Sequence, residues 1–224
     1  MSTGISALES ARTQARYNRM ASIYDMMELL PERRFAPMRQ KLWSMISGGQ
    51  VLEVGVGTGK NFSYHPPRAC VTGIDLSERM LEKARLKAQT SGLSIELKRM
   101  DAQQLDFLDN SFDAAVATFV FCSVPDAVRR LRELGRVVKP EGRILLLEHV
   151  RINQPEAVGK VMDLIDPLAV RLMGPHINRR TGVNVRQAGL PVERVESLAP
   201  LELAKLIVAR SRNGLHTNPT GEAQ

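Results

Sequence analysis

Cysteine, aromatic residues and long apolar runs are all scarce in this chain. Only Cys70 and Cys122 occur among 224 residues. No Cys-x-x-Cys or Cys/His spacing accompanies them, so neither a disulfide framework nor a metal site is expected. Both cysteines fall in apolar runs and are expected to be buried thiols in a reducing compartment. No stretch of about 18 consecutive apolar residues is present, which excludes a helix that spans a bilayer. The opening MSTGISALES has no basic n-region and no apolar h-region, so no secretory signal is expected. Internal repeats and low-complexity tracts are absent as well.

What remains suits one domain with some decoration. The residues are 43% hydrophobic and 25% charged, enough to bury a core without covalent staples. The net charge of +7 sits mainly toward the ends. Residues 51–150 hold 14 basic and 13 acidic side chains, whereas 1–50 hold 7 against 4 and 151–224 hold 10 against 7. Such a surplus fits nucleic acid, anionic lipid or no partner in particular.

The centre alternates strand-like and helix-like patterns, the signature of an α/β fold with a parallel sheet and crossover helices. Strands are expected at Val51–Val54, Cys70–Leu76, Ile95–Met100, Phe112–Phe119 and Arg143–Val150, mostly covered on both faces. Two more, Val192–Leu198 and Leu203–Ala209, are expected to pair antiparallel at the sheet edge. Ser77 reads as an N-cap for a helix whose apolar side includes Ala84 and Ala88 and which ends at Gly92. Asp126–Val138 reads as a second helix, stopped by Lys139-Pro140-Glu141-Gly142. The expected divisions are an N-terminal helical lid and membrane-contact region (1–48), a main domain (49–212) with a helical insert (151–190), and a disordered tail (213–224). A long insert over the carboxyl ends of a sheet usually shapes a ligand site.

The first strand runs directly into Gly55-Val56-Gly57-Thr58-Gly59. Glycines there permit positive φ and let a ligand approach the main chain. An acidic residue, Asp75, ends the second strand, where a carboxylate can accept hydrogen bonds from ribose hydroxyls. The spacing is GxGxG rather than GxGxxG, with Lys60 three residues past Gly57, which argues against a pyrophosphate on the helix N-terminus. Asp101 and Ala102 close the third strand, where a carboxylate and backbone N–H groups can read a purine edge.

VLEVGVGTG, VTGIDLSERML, MDAQQL, FDAAVATFVFCSV and LRELGRVVKPEGRILLLEHV together resemble the class I S-adenosylmethionine-dependent methyltransferases over roughly residues 50–150. The resemblance implies a doubly wound, mostly parallel, seven-stranded Rossmann-like sheet with S-adenosyl-L-methionine as cofactor. Gly55, Val56, Gly57 and Gly59 would contact the methionine moiety, with Glu53 bracing the loop. Asp75 would bind ribose, Leu76 and Met80 would flank adenine, and Asp101 with Ala102 would read it. Thr118 and Phe119 would lie near the sulfonium.

The flanks resemble bacterial phospholipid N-methyltransferases and quinone-biosynthesis methyltransferases, through YNRMASIYD at 17–25, FCSVPD at 121–126 and GPHINRRT at 174–181. The acceptor this implies is the amine of phosphatidylethanolamine. A quinone-precursor carbon, a small thiol, and a non-enzymatic cofactor-binding regulator are the alternatives. Arg12, Arg16 and Arg19 fall at i, i+4 and i+7, one basic stripe if this region is helical. Beside apolar residues such as Met27 it suits an anionic membrane interface, with Arg179 and Arg180 as further substrate-side candidates. The expected location is cytoplasmic, peripheral to the inner face of the membrane, and the expected state monomeric. Nucleic acid is disfavoured: Phe121-Cys122-Ser123-Val124-Pro125 stands where base methylators carry NPPY or DPPY, and aromatics are 4% of the chain.

Methylating an amine requires its proton to leave first. His149, at the end of the fifth strand, and His176 in the insert are the candidate bases, with His149 better placed. Tyr17 and Tyr24 could face the charged ammonium. His65 and His216 are assigned no role.

Overall fold

The computed structural model describes residues 10–19, 21, 29–121, 126–149, 156–172, 181–198 and 204–211. Val51, Leu52, Glu53 and Val54 are buried in an unbroken run, which only a strand covered on both faces can satisfy. That strand, β1 (Gly49–Val54), is an inner strand of a seven-stranded sheet. Around it lie β2 (Ala69–Asp75), β3 (Glu96–Arg99), β4 (Phe112–Thr118), β5 (Val138–His149), β6 (Val192–Ser197) and β7 (Ala204–Arg210). Their order is β3-β2-β1-β4-β5-β7-β6. Neighbours from β3 to β5 pair parallel, and β7 runs antiparallel to both β5 and β6. The doubly wound sheet expected from the sequence, with its antiparallel edge pair, is the sheet found.

Helices cover both faces. Residues 10–19 form α1 and Leu29–Trp43 form α2. Then follow α3 (Glu78–Thr90), α4 (Ala127–Val137), α5 (Glu156–Leu172) and α6 (Thr181–Gln187). One core joins Leu52, Ile74, Ala115, Leu131, Leu134 and Ile207. The other packs Leu42 and Trp43 of α2 onto Val51, Val116, Leu145 and Leu206. Ser77 caps α3 as expected, accepting from the Met80 N–H at 3.2 Å.

Three expectations need correction. The fifth strand starts at Val138 rather than Arg143, because Val138 already pairs with Phe112 before an irregularity brings Arg143 opposite Ala114. The segment read as a helix stop therefore lies inside the strand. Strand β3 is only half-buried, since it forms the sheet edge. Cys70 is exposed, being near the amino end of β2 rather than in its buried middle. Cys122, His216 and the tail at 213–224 lie outside the described residues. No described helix is long and apolar enough to cross a membrane.

Candidate active site

The parallel strands β1, β2 and β4 all end on one side of the sheet, and a cleft opens there, as expected at the switch point of a doubly wound fold. It measures about 730 Å³ counting its open mouth. Gly55, Gly57, Asp75, Leu76, Met80, Asp101, Ala102, Thr118 and Phe119 all line it. Tyr17 and Thr13 of α1 line it too.

The glycine loop is built for close approach. Gly55 and Gly57 have φ of 67° and 56°, the left-handed region that side chains avoid. A Cβ on Gly55 would collide with Val120, whereas one on Gly57 would meet only the Gly55 carbonyl oxygen at 4.0 Å. Gly57 thus leaves room for a ligand rather than for the fold. Its N–H donates to Asp75 Oδ2 at 2.9 Å, and the Ser77 N–H donates to Oδ1 at 2.8 Å. Burial pushes the Asp75 carboxyl above the usual carboxylate range, offset only in part by the Ser77, Gly57 and Leu76 N–H groups.

Beneath the loop runs a buried polar network. Asn61 Nδ2 donates to Glu53 Oε1 at 2.7 Å and to Thr118 Oγ1 at 2.9 Å. Arg39 Nη1 donates to Asn61 Oδ1 and Thr118 Oγ1, both at 2.9 Å. His65 Nε2 lies 2.9 Å from Glu53 Oε2. Glu53 therefore braces the loop from below rather than meeting a ligand, and His65, assigned no role from sequence, is its partner. Arg39 also pairs with Glu32, at 3.1 Å from Nε.

Phe119 is the outlier of the site. Its φ is 57°, a rare conformation for a bulky side chain that costs about 1–3 kcal/mol. Its N–H donates to the Leu147 carbonyl at 2.7 Å. The next two N–H groups, of Val120 and Phe121, both donate to the buried Glu148 carboxylate at 3.0 Å. These bonds force the turn that presents Phe119 to the cleft. The His149 ring stacks on Phe119 with centroids 4.3 Å apart, and Phe35 of α2 packs against both. Arg39 lies 5.4 Å from the Phe119 centroid.

At the opposite end, Asp101 Oδ1 accepts from the Gln103 N–H at 2.9 Å and from Arg130 Nη2 at 3.0 Å. Burial alone would raise the Asp101 carboxyl, but Arg130, the Gln103 N–H and the Ser10 hydroxyl outweigh it and hold it below its ordinary range. Ser10 of α1 accepts from Gln103 Nε2 at 2.6 Å, and Asn18 accepts from the Ser77 hydroxyl at 2.6 Å.

The structure thus gathers most of the residues assigned to the cofactor; Glu53 and Val56 are buried behind the surface, and Gly59 is not in the cleft wall but turns the chain against Phe62. Arg12 and Arg19 are exposed on α1, while Arg16 is half-buried with partners of its own, so the stripe is not uniformly free. Tyr24, His176, Arg179 and Arg180 lie outside the described residues, as does most of the apolar side assigned to the N-terminal region. Sequence reading missed Ser10, Arg39, Asn61, Gln103, Arg130 and the role of Glu148. One signal was present: Arg130 sits within the apolar stripe of Ala127, Leu131 and Leu134, where an arginine needs a buried partner.

The cleft fits S-adenosylmethionine by its donors and acceptors. A glycine-lined end can take the amino-acid portion, the Asp75 carboxylate at the end of β2 can take ribose hydroxyls, and the Asp101 carboxylate after β3 can take the base. Residues 52–146 match the model of a methyltransferase domain. The chain is 45% identical over 104 residues to a phosphatidylethanolamine N-methyltransferase of Cereibacter sphaeroides, covering 46% of this chain and 51% of that one. It is 38% identical over 112 residues to a ubiquinone/menaquinone biosynthesis C-methyltransferase of Bdellovibrio bacteriovorus, covering 49% and 48%. The chain spans about half the length of these two relatives. An S-adenosylmethionine-dependent methyltransferase of Thermotoga maritima superposes with a TM-score of 0.67 over 89% of this chain and 99% of that one, at 22% identity. That likeness carries the fold alone. Motifs, sheet order and cleft agree with the matched domain: residues 52–146 carry a methyltransferase domain, and the chain around it is similar to the class I S-adenosylmethionine-dependent methyltransferases.

Proposed function

We propose that this chain transfers a methyl group to the amine of phosphatidylethanolamine at a membrane surface. The observation that carries a transfer reaction is the strained Phe119, held in the cleft wall with His149 stacked on it. Strain maintained by three hydrogen bonds at a strand end is characteristic of a working site. The choice of a lipid amine rests on the 45% likeness to a phosphatidylethanolamine N-methyltransferase. When bound, S-adenosylmethionine supplies an electrophilic methyl group on a sulfonium. An acceptor nitrogen presented to that carbon would receive the methyl group as the thioether leaves with the electron pair.

The chain's own residues align and desolvate the partners, which supplies much of the rate. Gly55 and Gly57 hold the methionine portion, Asp75 the ribose, and Asp101 with Ala102 the adenine. His149 takes the ammonium proton before the lone pair attacks. One side of Phe119 already carries His149 and Arg39 lies near the ring, so Tyr17 is the aromatic face offered to the ammonium. Helix α1 covers the cleft, and exposed Arg12 and Arg19 meet anionic headgroups. The likeness to a quinone-biosynthesis C-methyltransferase favours a second reading, methylation of a quinone-precursor carbon.

Incubating the full chain with radiolabelled S-adenosylmethionine and total lipid extract, followed by thin-layer separation, tests both. Label is expected in N-methylated phosphatidylethanolamine, and His149→Ala is expected to slow its appearance by at least about tenfold with cofactor affinity unchanged. Label confined to quinone species would replace the lipid reading with the second. An unchanged rate in His149→Ala would remove that histidine as the base.

A further inference from the structure

Arg130 is an arginine where the helix calls for an apolar residue. It lies three residues after Ala127 and one before Leu131 on the inner face of α4, and it is only 3% exposed. A guanidinium buried this deeply demands a partner. Asp101 provides it, 3.0 Å from Nη2. The same nitrogen reaches Ser10 Oγ at 3.4 Å. Nη1 is buried with no acceptor among the described residues. Both members of the pair line the cleft, at the end assigned to adenine.

Adenine offers complementary chemistry. Its exocyclic amine is a donor, and the adjacent ring nitrogens are acceptors. A carboxylate acceptor fixed beside a guanidinium donor matches that edge. A 6-oxo purine presents an acceptor in place of the amine and would set oxygen against oxygen at Asp101.

We propose that Arg130 is the positioning and specificity residue of the base end, fixing Asp101 as an acceptor for the exocyclic amine. The inference rests on the S-adenosylmethionine reading and deepens it. The groups facing Asp101 are Arg130 on α4, Ser10 on α1 and Gln103 after β3; Asp126 and Arg129 are the further charges near Arg130. Without Arg130, Asp101 keeps its burial and loses its counter-charge. It then takes up a proton at higher pH and becomes a donor, which a 6-oxo group accepts.

The test compares S-adenosylhomocysteine with S-inosylhomocysteine by calorimetry on the full chain. Both carry the same ribose and amino acid, so the ratio of their affinities isolates the base end. Wild type should prefer the adenosyl compound by at least about tenfold, with a ratio that is flat from about pH 8 to pH 5. Arg130→Met should shrink the ratio about tenfold, and further as pH falls; Arg130→Lys should keep it flat. A wild-type ratio in Arg130→Met overturns the proposal. So does an equal loss at every pH with a lowered melting temperature, the mark of a purely structural arginine. Should Arg130→Met not fold, the carboxyl carbon resonance of Asp101 in wild type decides. A midpoint below the ordinary aspartate range supports the pairing, and one at or above it refutes it. Failure of wild type to bind S-adenosylhomocysteine would instead remove the cofactor reading, and this inference with it.

Discussion

Gly57→Arg is expected to abolish S-adenosylmethionine binding, read by calorimetry, while the protein remains folded. The two halves of that outcome come from one geometry. A side chain at a φ of 56° costs about 1–2 kcal/mol, which a domain of this size withstands. The Cβ itself meets nothing closer than 4.0 Å. The rest of the arginine must enter the cleft, where the methionine portion would lie. Gly55 offers no such separation, because its Cβ would drive into Val120 and disturb the turn that carries Phe119. Unchanged affinity in Gly57→Arg would remove the glycine loop from the cofactor site.

Asp75→Ala should weaken cofactor binding on the order of 100-fold, the loss of one to two charge-assisted hydrogen bonds. Its effect on stability runs the other way. Burial raises the Asp75 carboxyl above its unfolded value. A group shifted in that direction contributes stability below its unfolded pKa, and the contribution is lost as pH rises through the folded pKa. Above that raised pKa the ligand-free fold therefore bears the cost of an ionised carboxylate held away from water. The urea midpoint of Asp75→Ala at pH 7 should not fall. The same shift predicts that wild-type affinity declines with acidification, beginning at the raised pKa, since the neutral acid can no longer accept from both ribose hydroxyls. A pH-independent affinity between pH 8 and pH 4, or a midpoint lowered in step with affinity, would contradict this account.

What could be read from the sequence was local. The run Val51–Gly59, the carboxylates closing β2 and β3, and the Ser77 cap each declare themselves within a few residues, because strand, turn and cap chemistry act at that range. What could not be read depends on the closed fold. Arg130 finds Asp101 29 positions away, Glu148 reaches Val120 28 positions away, and Arg39 reaches Thr118 79 positions away. No periodicity reports such pairs. Val138–Gly142 misled because proline and glycine normally stop a helix and start a loop, yet here an irregularity in the ladder absorbs them within β5. Cys70 misled because an apolar neighbourhood in sequence does not say which end of a strand the core covers.

The two helices before the sheet are anchored in different ways, and this divides the N-terminal region by how it opens. Helix α2 inserts Leu42 and Trp43 into the core at 0% and 1% exposure and sends Arg39 into the network under the glycine loop. Its amides should exchange with solvent only when the whole domain unfolds. Helix α1 meets the same body through Ser10, Asn18 and the cleft wall at Thr13 and Tyr17. Those contacts can release without exposing the core, so α1 amides should exchange through a separate, lower-energy opening. Cofactor bound beneath α1 would then slow exchange in that helix first and leave α2 unchanged.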